Sequence, residues 1–221
     1  SKYPNSIYSV STFDDAQGNI RFKRIQHQWK NGRCVFCGAS QNQYDRDAAL
    51  ETHAYELIHT TRPEEIFKMK FDVIIGNPPY QLSDGGNAAS AKPLYNLFVE
   101  QAQKLNPRYL SMIIPARWYS GGKGLDKFRA KMLNDKRLSV LVDFTNSADC
   151  FPGVDVAGGI CYFLWDRSHN GDCHFTNYFN GKKDSIEKSL NEHDVFVRYP
   201  MADKIIHKVS KGSTKMMDSM V

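Results

Sequence analysis

The chain has 221 residues, 41% of them hydrophobic and 24% charged, the proportions of a soluble globular domain with room for a substantial core and an appendage. No apolar run approaches the length that spans a bilayer, and Ser1-Lys2-Tyr3-Pro4-Asn5 lacks the basic-then-apolar pattern of a signal peptide, so no membrane association and a cytoplasmic location are expected. The net charge of +5 is compatible with a polyanionic partner without identifying one. Five cysteines, odd in number and unevenly spread, argue against a disulfide framework and for a reducing setting. A start without methionine and the ending Asp218-Ser219-Met220-Val221 suggest a fragment of a longer protein.

In chain order, Ser6–Val10 and Ile20–Ile25 alternate in the manner of strands, with turn chemistry at Asp14–Asn19 between them, and predict a hairpin. No Gly-x-Gly follows the first strand. Next, Cys34 and Cys37 stand two residues apart with Gly38 behind them, a knuckle that aims both thiolates at one point. His53 and His59 follow in the helix-like stretch 48–59. The spacing Cys-x2-Cys-x15-His-x5-His is at the loose edge of a zinc finger, which makes Cys34, Cys37, His53 and His59 candidate ligands of a structural zinc in a small Cys/His insertion at about 30–60. Against this, six residues of helix turn by about 600°, so the two histidines do not share a face of a regular helix. The alternative is a half-buried cysteine pair in a reducing cell and two unrelated surface histidines.

Pro63, with Glu64 and Glu65 behind it, suits the first turn of a short helix. Phe71-Asp72-Val73-Ile74-Ile75 reads as a central strand of a parallel sheet, buried on both faces. A polar loop over 81–92 leads to a helix from Pro93, whose Leu94, Leu97, Phe98, Ala102 and Leu105 recur at helical spacing. Tyr109–Pro115 is the next strand, Ala116–Gly122 a loop, Leu125–Asn134 an amphipathic helix, Leu138–Phe144 a third strand, and Val156–Trp165 holds a fourth. The order predicts an α/β fold with a mostly parallel sheet and an antiparallel terminal strand. Residues 1–166 are read as one domain. After 166 the pattern weakens to two or three poor strands and a Met-rich tail, read as the start of a second, accessory or target-recognition region at 167–221.

The strand at 71–75 runs into Gly76-Asn77-Pro78-Pro79-Tyr80. This stretch resembles the catalytic motif of the DNA adenine-N6 methyltransferases, whose four-residue core is Asn-Pro-Pro-Tyr. The resemblance covers about residues 56–166 and implies part of a Rossmann-like fold that uses S-adenosylmethionine. An adenine amine is a poor nucleophile because its lone pair is delocalised into the ring, and the base must leave the duplex to be reached. The side-chain oxygen of Asn77 and the carbonyl of Pro78 can accept its two N–H bonds, and the ring of Pro78 fixes φ, so that carbonyl is aimed. Pro79 completes the rigid turn, and Tyr80 offers a face for stacking worth about 1–3 kcal/mol per base. The helix Pro93–Glu100 is similar to the one that follows the motif in the family, which would place Phe98 and Asn77 at the cofactor. Ile114-Pro115-Ala116-Arg117-Trp118 is similar to the end of the family's next strand. Phe151-Pro152 resembles the later motif whose phenylalanine stacks on the second face of the flipped base. Each of Phe98, Trp118 and Phe151 is also readable as a core residue, and a bare Asn-Pro-Pro as a strand-ending turn.

The departures matter equally. Residues 1–70 contain nothing like the glycine-rich cofactor loop of the family, Ser11-Thr12-Phe13 stands where an acid is expected after the second strand, and His59-Thr60-Thr61 stands where another precedes the catalytic strand. The expected function is transfer of a methyl group to N6 of adenine in double-stranded DNA, within a restriction–modification system that includes a restriction subunit or a fused nuclease domain. Two alternatives stay open: methylation of a planar amino group in RNA or protein, and a non-catalytic, zinc-stabilised nucleic-acid-binding module with a degenerate methyltransferase fold. Without the glycine-rich loop, this chain alone should bind S-adenosylmethionine weakly; isothermal calorimetry that found tight binding would contradict the assignment of a missing cofactor half.

Overall fold

A computed structural model of the chain describes residues 6–11, 20–25, 28–35, 38, 41, 57–58, 61–65, 70–81 and 92–212. Two compact units result, residues 1–112 and 113–221. In the first, β1 (Ser6–Ser11) and β2 (Ile20–Ile25) form the expected antiparallel hairpin, with Ser6 opposite Ile25. β3 (Trp29–Lys30) and β4 (Arg33–Cys34) close around Asn31 and Gly32, whose φ values of 52° and 72° are those of a two-residue hairpin turn. Pro63–Glu65 is a single 3-10 turn.

β5 (Val73–Gly76), α1 (Tyr95–Lys104) and β6 (Tyr109–Pro115) follow. β5 and β6 are parallel, with Val73 opposite Tyr109 and Gly76 opposite Met112. The spacing of Tyr95, Phe98, Val99 and Ala102 puts an apolar stripe on one side of α1, and all four are buried. Leu94, Val99, Ala102 and Leu110 are wholly inaccessible and form the core here. Gln101, on the same side, donates from Nε2 to Leu57 O at 2.6 Å.

β5 corrects one expectation. The run Val-Ile-Ile does form a strand, but it is not buried on both faces: Val73 is 54% and Ile75 77% exposed. Apolar residues specify the strand, whereas burial depends on what lies against it, and among the described residues β6 is its one paired neighbour.

The second unit is built on β7 (Leu138–Phe144). β8 (Ile160–Asp166) pairs with it antiparallel and β9 (Cys173–Phe179) parallel, and β10 (Lys182–Lys188) pairs antiparallel with β9. The α/β class and the antiparallel late strand are therefore as expected. α2 (Asp126–Asn134) lies between β6 and β7 in sequence. Ala116–Ser120, expected as a loop, is a 3-10 helix that buries Ala116, Trp118 and Tyr119. The weak strands expected after 166 are the β9–β10 hairpin, closed by Asn180 and Gly181 at φ 50° and 70°, and α3 (Pro200–Gly212) follows it. Trp118, Phe128, Phe163, Trp165 and Phe175 are the large buried side chains of this unit. No helix among the described residues is long and apolar enough to cross a membrane.

A polar cluster interrupts that core. Asp143, the penultimate residue of β7, has no solvent exposure. Arg198 meets it with two bonds, Nε to Oδ2 at 2.5 Å and Nη2 to Oδ1 at 2.7 Å, and Asn177 donates from Nδ2 to Oδ2 at 2.6 Å and to Thr145 Oγ1 at 3.0 Å. Burial pushes the Asp143 carboxyl up, against the pull of Arg198 and Asn177. Gly159 passes alongside at φ +81°, where an added Cβ would stand 2.2 Å from Phe144 O and 2.8 Å from Arg198 Nη2. Removing Arg198 strands a buried charge, so Arg198→Leu should lose about 3–5 kcal/mol of unfolding free energy in urea titrations.

Candidate active site

Asn77 follows β5 directly, at the carboxyl end of the parallel pair, the edge where open α/β sheets place their ligands. Asn77 is exposed, Pro78 is buried, and Pro79 and Tyr80 are half-buried. Two consecutive prolines fix φ at both positions and bring no N–H that would need a partner, so this turn is rigid without a hydrogen-bond ladder of its own. Its exit is fastened to the start of α1: Leu94 N donates to Tyr80 O at 3.1 Å, and Gln81 bridges to Pro93. A polar amide is thus held out to solvent from a covered, proline-locked base. It can accept at Oδ1 and donate at Nδ2, the set needed to grip a planar amino group and its neighbour.

The other predicted residues separate. Phe98 is 4% exposed and packs in the buried stripe of α1. Phe151 belongs to the second unit, in a loop that bonds to itself. Asn146 Oδ1 accepts from Ala148 N at 3.0 Å, and Phe151 N donates to Ser147 O at 2.8 Å. Buried Ser147 closes the loop, donating from Oγ to Val154 O at 2.8 Å and accepting from Val156 N at 2.9 Å. Phe151 is half-buried on this frame. Trp118 is fully buried among Tyr119 and Phe128 and is a core residue.

Of the proposed zinc ligands, Cys34 is buried, and Gly38 N donates to its carbonyl at 2.9 Å with Gly38 at φ +78°, which is the fold-back expected of that glycine. Cys37, His53 and His59 lie outside the described residues. Burial pushes the thiols of Cys161 and Cys173 up to about 12, so neither is a thiolate nucleophile near neutrality.

Two features had no counterpart in the sequence reading. Phe144, Tyr162 and Tyr178 form an aromatic row across β7, β8 and β9, with Phe144 stacked on Tyr178 at 4.8 Å and 7°. Tyr162 is 39% exposed, so the row is partly open. A basic cleft of about 670 Å³ is lined by Lys131, Lys136, Arg137, Arg167 and His169, with Asp135 among them. Burial raises the Asp135 carboxyl, but hydrogen bonds from Arg137 and Trp165 outweigh it and hold it below the usual range. The cleft opens where β7 begins and β8 ends, the opposite end of those strands from the loop of Phe151.

Residues 5–151 match the family model described as Eco57I restriction-modification methylase. The chain is 36% identical over 207 residues to an "Uncharacterized adenine-specific methylase" of Mycoplasma pneumoniae, covering 87% of this chain and 49% of that protein. It is 31% identical over 109 residues to the "Type II restriction enzyme and methyltransferase RM.Eco57I" of Escherichia coli, covering 40% of this chain and 11% of that protein. The chain therefore spans about half the length of the first relative and a small part of the second. The methyltransferase subunit of the type I restriction-modification system of Streptococcus thermophilus superposes with a TM-score of 0.36 at 12% identity, over 66% of this chain and 33% of that one, too little to bear on the fold.

Ser147→Ala would take from Val154 O and Val156 N, both in partly exposed residues, their hydrogen-bond partner, a loss of about 1 kcal/mol. Urea unfolding should show that loss, and the amide of Val156 should exchange its hydrogen faster than in the wild type.

Proposed function

Because the chain belongs to the family of Eco57I restriction-modification methylases, we propose that it carries the base-binding part of an enzyme that methylates N6 of an adenine flipped out of double-stranded DNA. The observation that carries this reading is the placement of Asn77: an exposed amide beside the buried Pro78 of a two-proline turn, at the carboxyl end of a parallel strand. In the proposed scheme Asn77 Oδ1 and the carbonyl of Pro78 accept the two N–H bonds of the amine. That draws the nitrogen lone pair out of the ring and toward the methyl donor. Tyr80 stacks on a face of the base, contributing about 1–3 kcal/mol, and Phe151 is proposed as a second stacking residue on the strength of its motif alone. No His or Glu base is required, since the nitrogen can release its extra proton to solvent after the transfer.

S-adenosylmethionine, when bound, supplies an electrophilic methyl group. Asn77 is open and can reach a cofactor beside the base, whereas Phe98, buried on the apolar side of α1, could only form the floor of such a pocket. The name of the Mycoplasma pneumoniae relative supports adenine methylation, and that of the Escherichia coli protein joins restriction and methylation. For the whole protein, a fused nuclease or an associated restriction subunit is proposed on that basis, with a cytoplasmic site of action. Residues 167–221 are proposed to lead into the target-recognition region.

Asn77→Ala in the full-length protein should lower methylation of adenine-containing duplex by about a hundredfold or more, the scale of losing one aimed polar contact in a transition state. DNA affinity should change little. Methylation at the wild-type rate would remove Asn77, and with it this reading of the site.

A further inference from the structure

The segment after β10 gathers side chains that the proposed methyl transfer does not use. Glu192 and His193 lie in the turn that follows β10, and His207 lies on α3. One ligand atom from each stands within 4.8 Å of the other two. Glu192 Oε1 and His207 Nε2 are 3.3 Å apart. Asp203, one helical turn before His207, is 1% exposed. Its Oδ2 is paired with Lys188, while its Oδ1 has no hydrogen-bond partner and stands 3.4 Å from His193 Nε2, a covered atom of a side chain 28% exposed that also lacks one.

Simple ion pairing accounts for part of this cluster. It places Glu192 with His207 and Asp203 with His193 at 3.3 and 3.4 Å, but leaves His193 Nε2 and Asp203 Oδ1 as buried atoms without a hydrogen bond, an arrangement that proteins rarely tolerate. Donors about 2.1 Å from a tetrahedral ion lie about 3.4 Å from one another. The Glu192–His207 separation matches that spacing and exceeds an ordinary hydrogen bond. Two imidazoles and a carboxylate also form the donor set that suits zinc and its neighbours, while calcium and magnesium prefer all-oxygen shells.

We infer that Glu192, His193 and His207 bind a divalent transition ion of the zinc class, with Asp203 behind His193. Bound there, the ion ties the turn after the β9–β10 hairpin to α3. This site shares no residue with the Cys34, Cys37, His53 and His59 set, and nothing in it depends on the proposed methyl transfer.

Cobalt(II), titrated into the full-length metal-free protein, tests the assignment. The wild type should take up an equivalent that shows a ligand-field spectrum without thiolate charge transfer. The double variant H193Q/H207Q should lose that equivalent, Glu192→Gln should weaken it by about tenfold or more, and Cys34→Ser should leave it intact. Added zinc should raise the Tm of the wild type and not that of the double variant. Should the double variant fail to fold, His207→Gln alone, at a side chain 41% exposed, serves for the same comparison. Uptake by the histidine variants equal to the wild type, or no uptake outside a thiolate site, would overturn the inference.

Discussion

A fully buried carboxylate at the end of β7 constrains the second unit more than any other group. Asp143 is tolerable there because Arg198 satisfies both of its oxygens and Asn177 adds a third bond. Those partners come from β9 and from the segment between β10 and α3, so the ion pair decides where the chain returns after its terminal hairpin. Gly159 depends on the same arrangement, since a side chain at that point would collide with Phe144 O and Arg198. Gly159 O in turn accepts from Ala116 N at 3.0 Å, which fixes the start of the 3-10 helix. The loop that carries Phe151 therefore leaves from one fixed point and returns to another.

The Asn-Pro-Pro-Tyr turn is held by a different means. Among the described residues, two proline rings, a backbone hydrogen bond from Leu94 N to Tyr80 O and the Gln81–Pro93 bridge support it. Rigidity that is covalent does not require a large core around it, and this is consistent with a strand as exposed as β5 delivering the motif. The family match runs from residue 5 to residue 151 and so takes in both Asn77 and Phe151. The two residues proposed to contact the base therefore stand within one recognised stretch of chain, each on a locally fixed frame.

Much of this was legible in the sequence. Apolar periodicity located β5, α1, β6, α2, β7 and β8, and the proline-locked turn stands out in the sequence as the candidate site. What failed was environment. The Val-Ile-Ile run announced a strand but carried no information about its neighbours, and Ile75 proved exposed. Residues 168–188 read as polar and weak because β9 and β10 alternate short runs with Asn, Lys and Asp, although Asn180-Gly181 is a strong two-residue turn signal, as is Asn31-Gly32. Asp143 left one trace, an acid inside the apolar run Leu138–Phe144. Its partner Arg198 lies 55 residues further on and could not be paired with it from spacing.

The segment that closes the second unit is held at two charged points that differ in kind. Asp143 and Arg198 complete each other inside the protein. Asp203 is only half satisfied: Lys188 takes one oxygen, also donates to Val197 O at 2.7 Å, and lies over the rings of Phe175 and Phe196. A lysine so placed is fixed by packing and cannot swing to serve the second oxygen as well. The unmet demand at Asp203 Oδ1 therefore faces His193, and through it Glu192 and His207. Stability at the first point is intrinsic to the chain. At the second it varies with what occupies the histidine cluster, so the mooring of α3, but not that of the Phe151 loop, can respond to the metal available in solution.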